Sequence, residues 1–415
     1  MADFERIALE RNPTLRQAFA QFDAARSRSF QAGLYPNPVI GYTAEQIGVP
    51  QEVARRGAQP TERATAGELQ GGFVQQEFVT GGKLRLSRAK FAEESVTAQW
   101  HAEAQRLRVL NGVRTNFFEV LAAQRLIVVH RDLSEINEEA VRTTEELVNV
   151  GQANEPDLLQ ARVEARRSRV ALRSAENRHR GEWEQLVAVV GAPELRPVAL
   201  DMRPLEADAA PLDFDATLAA LLRGSPEIQA ALAEIRRDQI MVRRERAEPI
   251  PNVTVQATTG YNYEFGGAVV GVQASLPLPI WNRNQGTVRE AMADLSRARA
   301  EYERVALSIR QRLADAYTRH QDARQSVEDY RSESLPLARR AFEVQSKNFR
   351  ERRAAYPQVL VTRRTLLELD QDYVQSLLEL RRAEVEIGGM LLGGGLTPPD
   401  APTNQGHIEA NPQPR

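Results

Sequence analysis

Five histidines, His101, His130, His179, His320 and His407, are the residues of this chain best suited to hold a metal or move a proton. No two stand four apart and no His-Glu-x-x-His pattern occurs, so each is expected on a solvated helix face or in the tail, and no metal site is expected. Gly81-Gly82-Lys83 has the ending of a phosphate loop. Glu77 stands where the first glycine of that loop belongs, and no Ser or Thr follows Lys83, so the triplet reads as a strand-to-helix turn. Carboxylates are abundant but fall four residues from arginines, the spacing of solvated helix faces rather than of acid/base catalysis. No catalytic constellation is visible, which predicts a protein that is not an enzyme and takes no cofactor.

Two proline-containing corners are better candidates for a working site. One holds Gly151, Gln152, Asn154, Glu155 and Asp157; the other holds Arg352, Arg353, Tyr356 and Gln358, followed by Val361, Arg363 and Arg364. Each mixes small, polar and charged residues where one long helix reverses into another. Either corner alone is explained by a plain helix-helix turn. Two matched corners point to a tip that meets something.

The elements that must position these corners occur twice. Asn12-Pro13-Thr14-Leu15 matches Ser225-Pro226-Glu227-Ile228, Pro36-Asn37 matches Pro251-Asn252, and Glu155-Pro156-Asp157-Leu158-Leu159 matches Tyr356-Pro357-Gln358-Val359-Leu360. The period is about 200 residues, far above that of solenoid arrays, so half of the molecule is duplicated. Residues 1–195 form the first repeat, with helix over 3–33, a hairpin over about 38–79 and helices over 83–150 and 157–190. Residues 196–212 are a linker. The second repeat, 213–395, holds a helix over 213–248, a hairpin over about 252–279 and helices over 287–352 and 358–392, and the tail 396–415 is polar and expected to be disordered. Between Lys83 and Val150 there is no proline and only Gly112 as glycine. A helix of that length runs about 100 Å at 1.5 Å per residue. Its thin apolar stripe, Leu110, Val113, Phe117 and Val120, needs other helices alongside.

The hairpins alternate. Ile40, Tyr42 and Ala44 oppose Gly41, Thr43 and Glu45; Val253, Val255, Ala257, Thr259, Tyr261 and Tyr263 oppose Thr254, Gln256, Thr258 and Asn262. On the return strand Val270, Val272, Ala274, Leu276 and Leu278 oppose Gln273 and Ser275. Strands of this length cross a hydrocarbon core when tilted, and Tyr261, Tyr263 and Phe265 at one end with Trp281 at the other are placed like interfacial aromatic girdles. Ordinary half-buried strands of a soluble sheet alternate too. Four strands cannot close a barrel, and an open sheet in lipid strands its edge groups at several kcal/mol each. Several chains must share one barrel, or there is no barrel.

Composition narrows the classes. With 54 basic and 56 acidic residues the formal net charge is −2, which argues against a nucleic-acid partner. There is no cysteine, hence neither disulfides nor thiolate ligation. No run reaches the roughly 18 apolar residues of a spanning helix, so any passage through a bilayer must use strands. Met1 leads into an amphipathic helix with no secretory leader, as in a cytosolic chain or one whose export signal lies outside this sequence.

The ordered set of features resembles the TolC-type outer-membrane factors, the exit ducts of tripartite efflux pumps and type I secretion. It rests on the duplicated plan, on Gln31-Ala32-Gly33-Leu34-Tyr35-Pro36-Asn37-Pro38 before the first strand, on Gln75 to Lys83, and on the corner from Gly151 to Leu159. The Leu-Tyr-Pro-Asn-Pro and Gly-Gly-Lys elements look more like the heavy-metal efflux branch. The resemblance implies an α+β fold, mostly α, in which a homotrimer builds a twelve-stranded β-barrel on a long periplasmic α-helical barrel. It also implies residence in the outer membrane and partnership with a periplasmic adaptor and an inner-membrane transporter of RND or ABC type. The cargo would be metal cations or drugs.

In that family the helix tips form a gate. Here the acidic residue of the first tip is present as Asp157, whereas Gln358 and Val361 stand where members with acidic rings carry carboxylates. Closure is then expected to use Arg353, Arg363 or Arg364 against Asp157 or Glu155. The alternative from another class is a soluble coiled-coil scaffold.

Overall fold

The computed structural model describes residues 1–45, 69–263, 266–351, 353 and 356–399. In chain order these form α1 (Ala2–Arg11), α2 (Pro13–Gln31), β1 (Val39–Glu45), β2 (Leu69–Phe78), α3 (Lys83–Asn149), α4 (Glu155–Val190), α5 (Phe214–Gly224), α6 (Pro226–Ala247), β3 (Val253–Asn262) and β4 (Gly267–Ser275). Then come α7 (Gln285–Asp329), a π-helical turn (Tyr330–Ser334), α8 (Leu335–Arg350) and α9 (Tyr356–Gly388). The expected loop over residues 50–66, Phe265, Arg352 and residues 400–415 of the tail, with His407, lie outside the described residues, whereas residues 396–399 are placed, with Thr397 O accepting from Gln105 Nε2 at 3.0 Å.

The two repeats begin with the same local device. Asn12 and Ser225 each end a helix with extended ψ, 125° and 127°, because the proline that follows excludes the helical region for the residue before it. Both are buried, and their N–H groups donate to Ala8 O and Leu221 O. The single helix expected over 213–248 is therefore two helices broken at Ser225-Pro226. The helix expected over 287–352 is also interrupted. At the π turn Leu335 N–H reaches back five residues to Tyr330 O. Pro336 lacks an N–H and its ring crowds the carbonyl four residues earlier, and a wider turn relieves that conflict.

The chain divides into two compact units, each drawing on both repeats. One comprises Met1–Phe19, Trp100–Ile228 and Arg304–Asp400; the other contains Ala20–Gln99 and Gln229–Glu303. The core of the first unit is built from the three-four stripe of α3, with Val109, Val113, Phe117, Val120 and Leu121 buried against Leu186 of α4 and Leu377 and Leu380 of α9. The Phe4 ring meets Trp183 edge-on at 6.1 Å, and Trp183 Nε1 donates to Leu195 O at 2.9 Å. The connection between the repeats is packed into this core. Leu205 is fully buried, Gln124 and Leu200 exchange two hydrogen bonds of 2.9 and 3.0 Å, and Arg381 donates to Leu205 O at 3.1 Å and to Ala207 O.

Candidate functional site

The second unit holds an antiparallel sheet in the order β1-β2-β3-β4. Opposite residues in such a ladder share a face. The register sets Ile40 beside Val74, Val74 beside Ala257 and Ala257 beside Val272, while Gln75, Gln256 and Gln273 form a row on the other side. The first face is mostly apolar and open, with Gln70, Gln76 and Thr259 as its polar members: Ile40, Val270 and Val272 are 77%, 78% and 76% exposed. The second carries Thr43, Glu77, Thr254, Thr258 and Ser275 besides the glutamines, and none of the four strands contains Lys or Arg. The strands are 7, 10, 10 and 9 residues long, so three of them match the span of a tilted transmembrane strand. Among the described residues β1 and β4 are each paired on one side only, which leaves two open edges.

Glycine decides the middle of the sheet. A Cβ on Gly71 would fall 2.2 Å from Thr259 O, and one on Gly260 2.5 Å from Gln70 O, so β2 and β3 approach closely only because both lack side chains. At the helical end of the sheet, Lys83 is buried and donates to Asn252 Oδ1 at 2.9 Å, and Asn252 Nδ2 donates to Glu77 Oε1 at 2.7 Å. Burial holds the Lys83 pKa below its ordinary value. Gly81-Gly82-Lys83 thus ties a strand end to the turn before β3.

The corners belong to the first unit. At the first, Gly151 adopts a φ of 70° and closes α3, while Gln152 N donates to Leu147 O at 2.7 Å. Asn154 Oδ1 then caps α4 by accepting from Asp157 N at 3.0 Å, with Pro156 in the first turn. Glu155 is exposed and Asp157 half-buried at this helix N-terminus, where carboxylates suit the macrodipole. At the second corner Arg353 N donates to Asn348 O at 2.7 Å, and Gln345 Nε2 donates to Gln358 Oε1 at 2.8 Å. Tyr356 opens α9, and Val361 is exposed.

Within the chain the contacts described for the corner arginines are local or inward ones. Arg353 meets Glu351 at 3.3 Å and Arg364 meets Glu368 at 2.9 Å, both short-range partners that a helix end or turn supplies at little entropic cost. Arg363 points inward, is buried, and donates to Leu133 O of α3 at 3.0 Å. It lines a cavity of about 430 Å³ together with Ile136, Thr143, Phe342 and Val359.

The histidines also depart from expectation. His320 is fully buried, and neither ring nitrogen has a protein partner. His101, His130 and His179 are half-buried, with His130 Nε2 3.3 Å from the Gln371 amide. His320 lies on the buried stripe Ile309, Leu313, Ala316, Ala323 and Val327, a three-four spacing that the sequence displays. Desolvation holds its pKa below the ordinary histidine value, with Glu384 opposing that shift and Arg324 and Arg381 adding to it. Among the described residues no group of three or more His, Cys, Asp or Glu converges as metal ligands would.

Two stretches of the chain, residues 6–192 and 217–391, match the outer membrane efflux protein family. The chain belongs to the outer membrane efflux protein family. As a member it is an efflux channel protein of the outer membrane, with the mostly helical α+β fold of that family. The cobalt-zinc-cadmium resistance protein CzcC of Cupriavidus metallidurans is 25% identical over 386 residues, covering 93% of this chain and 88% of that protein. Among solved structures, CusC, described through folding and transmembrane channel formation, superposes with a TM-score of 0.80 at 16% identity, covering 95% of this chain and 92% of that one. A membrane protein from Pseudomonas aeruginosa gives 0.77 at 18% identity, covering 94% and 93%.

Proposed function

We propose that three copies of this chain close one twelve-stranded barrel through the outer membrane, continued by a periplasmic helical duct, as the exit of a tripartite efflux pump. The observation that supports this best is the sheet with one bare apolar face and two open edges. In water each exposed Val or Ile forgoes about 1.5–3 kcal/mol of burial, and in lipid each unpaired edge group costs several kcal/mol. Pairing β4 of one copy with β1 of the next satisfies the edge groups, and the closed barrel then lays its apolar face against lipid instead of water. The sheet calls for copies; the family resemblance supports three as their number.

The duct is passive, without catalysis or cofactor, and works with a periplasmic adaptor and an inner-membrane transporter. The corners at Gly151–Asp157 and Arg353–Arg364 are its periplasmic gate, and an adaptor that prefers their open form shifts the equilibrium by no more than that difference in binding energy. Metal cations are the cargo favoured by the similarity to a cobalt-zinc-cadmium resistance protein; drugs are the second class.

The absence of native cysteine gives a clean test. Tyr42→Cys combined with Val270→Cys or Val272→Cys, oxidised in isolated outer membranes, is expected to yield covalent dimers and trimers. Monomer alone from every pair would sink the shared barrel. Loss of cobalt or zinc tolerance on deletion, restored by the wild-type chain, tests the cargo.

A further inference from the structure

We infer that the turn after β4 is an anchor for anionic phospholipid headgroups, presenting Trp281 and Arg283 at the helical end of the sheet. This rests on the membrane placement proposed above and adds the lipid partner. Beyond Ser275 the chain leaves the ladder, since Pro277 and Pro279 have no N–H to donate. Leu276, Leu278 and Ile280 nevertheless stay exposed, so apolar surface continues past the last strand residue. A strand of nine residues already spans a hydrocarbon core when tilted, which sets the following residues at headgroup depth. Trp281 is 86% exposed there, and Arg283 is exposed two residues later.

The turn that carries them is built rather than loose. Asn282 Oδ1 accepts from Asn284 N at 3.0 Å, and Gln285 Oε1 accepts from Arg283 N at 2.8 Å. Asn284 stands in the left-handed region with φ 57° and donates from Nδ2 to Glu245 O at 3.0 Å and Glu245 Oε2 at 2.7 Å. Glu245 is itself buried and paired with Arg244 at 3.0 Å. A left-handed non-glycine residue tied to a buried carboxylate fixes the direction of its neighbours. An exposed indole on a fixed turn suits the amphipathic interface. A guanidinium beside it suits a phosphate, with about fivefold enrichment of anionic lipid expected for one basic residue near a surface.

The chain has three tryptophans, so the Trp281 signal is the difference between wild type and Trp281→Phe. The full chain is reconstituted into phosphatidylcholine vesicles containing a minor fraction of phosphatidylglycerol, with bromine on one lipid at a time, near the glycerol or near the chain end. Trp281 emission is expected to be quenched by shallow bromine more than by deep bromine. Brominated phosphatidylglycerol should act as if locally enriched about fivefold over brominated phosphatidylcholine at equal mole fraction, and Arg283→Gln should abolish that preference. Emission indifferent to all brominated lipids, as when a second copy covers Trp281, overturns the anchor. So does equal quenching by both lipids in wild type. Val272→Trp in the Trp281→Phe background separates the two claims: quenching there by deep bromine upholds the membrane sheet even when the anchor fails, and its absence overturns the barrel itself.

Discussion

Arg331 Nη1 donates to Asp208 Oδ1 at 2.7 Å, joining the π-helical turn to the segment that connects the repeats. The same guanidinium reaches Glu206 O at 2.9 Å and Tyr373 Oη at 3.3 Å. With Arg381 on Leu205 O and Ala207 O, the connection is fastened along its length to α9 and the π turn. A segment rich in Pro, Ala and Asp thus behaves as a structural strap.

The two fastenings should differ in what their loss costs. Asp208 is almost fully exposed, so Asp208→Asn should lower stability by less than about 1 kcal/mol. Arg381 is buried and donates to the carbonyl of the fully buried Leu205, so Arg381→Ala should cost about 1–3 kcal/mol, because that acceptor is left unpaired. Urea unfolding of the detergent-solubilised protein measures both. Equal small losses would show that the strap does not depend on Arg381.

His320 predicts an acid sensitivity. Its folded pKa is depressed, so the unfolded chain binds more protons once the pH falls below the ordinary histidine pKa of about 6.5. Stability should be full above that value and decline as the pH drops toward the folded pKa. His320→Leu, which keeps the stripe apolar, should flatten this part of the profile in urea midpoints taken from neutral to mildly acidic pH. An unchanged slope would assign the acid sensitivity to other groups.

Gly71 and Gly72 separate close packing from composition. Gly71→Val drives a side chain into the β3 backbone and should abolish the folded sheet, read as loss of the disulfide-linked dimers and trimers expected of the Tyr42→Cys pairs. A Cβ on Gly72 would meet only Gly41 O, at an ordinary contact distance of 3.6 Å, so Gly72→Val should be tolerated. Similar behaviour of the two variants would contradict the β2–β3 approach.

At the corners, conductance and stability should part company. Asp157→Ala and Arg353→Ala are expected to raise resting conductance in planar bilayers, with little change in unfolding midpoint because both sites are at least partly open to solvent. Arg363→Ala should instead cost about 2 kcal/mol, since a buried guanidinium leaves its carbonyl partner. Arg364→Ala should cost at most about 0.5 kcal/mol, the value of an exposed i,i+4 pair. Unaltered conductance in the first two would remove those residues from the gate.

Local chemistry determined much of this protein before any chain folded back on itself. Proline after Asn12 and Ser225 broke helices at equivalent points, alternation in 253–262 and 267–275 set the apolar and polar faces, and the run from Lys83 without proline made one uninterrupted helix. These signals are carried by neighbours within a turn or a strand, so they survive in one dimension. Tertiary structure decided what distant segments do to each other. The inward turn of Arg363, the burial of His320, the fastening of Leu205 and the close approach of Gly71 to Gly260 depend on which faces meet, and neither periodicity nor spacing specifies that partner. His320 was readable as part of a stripe, but its polarity made it look solvated. Its environment came from packing, since burial is a property of the neighbours rather than of the residue.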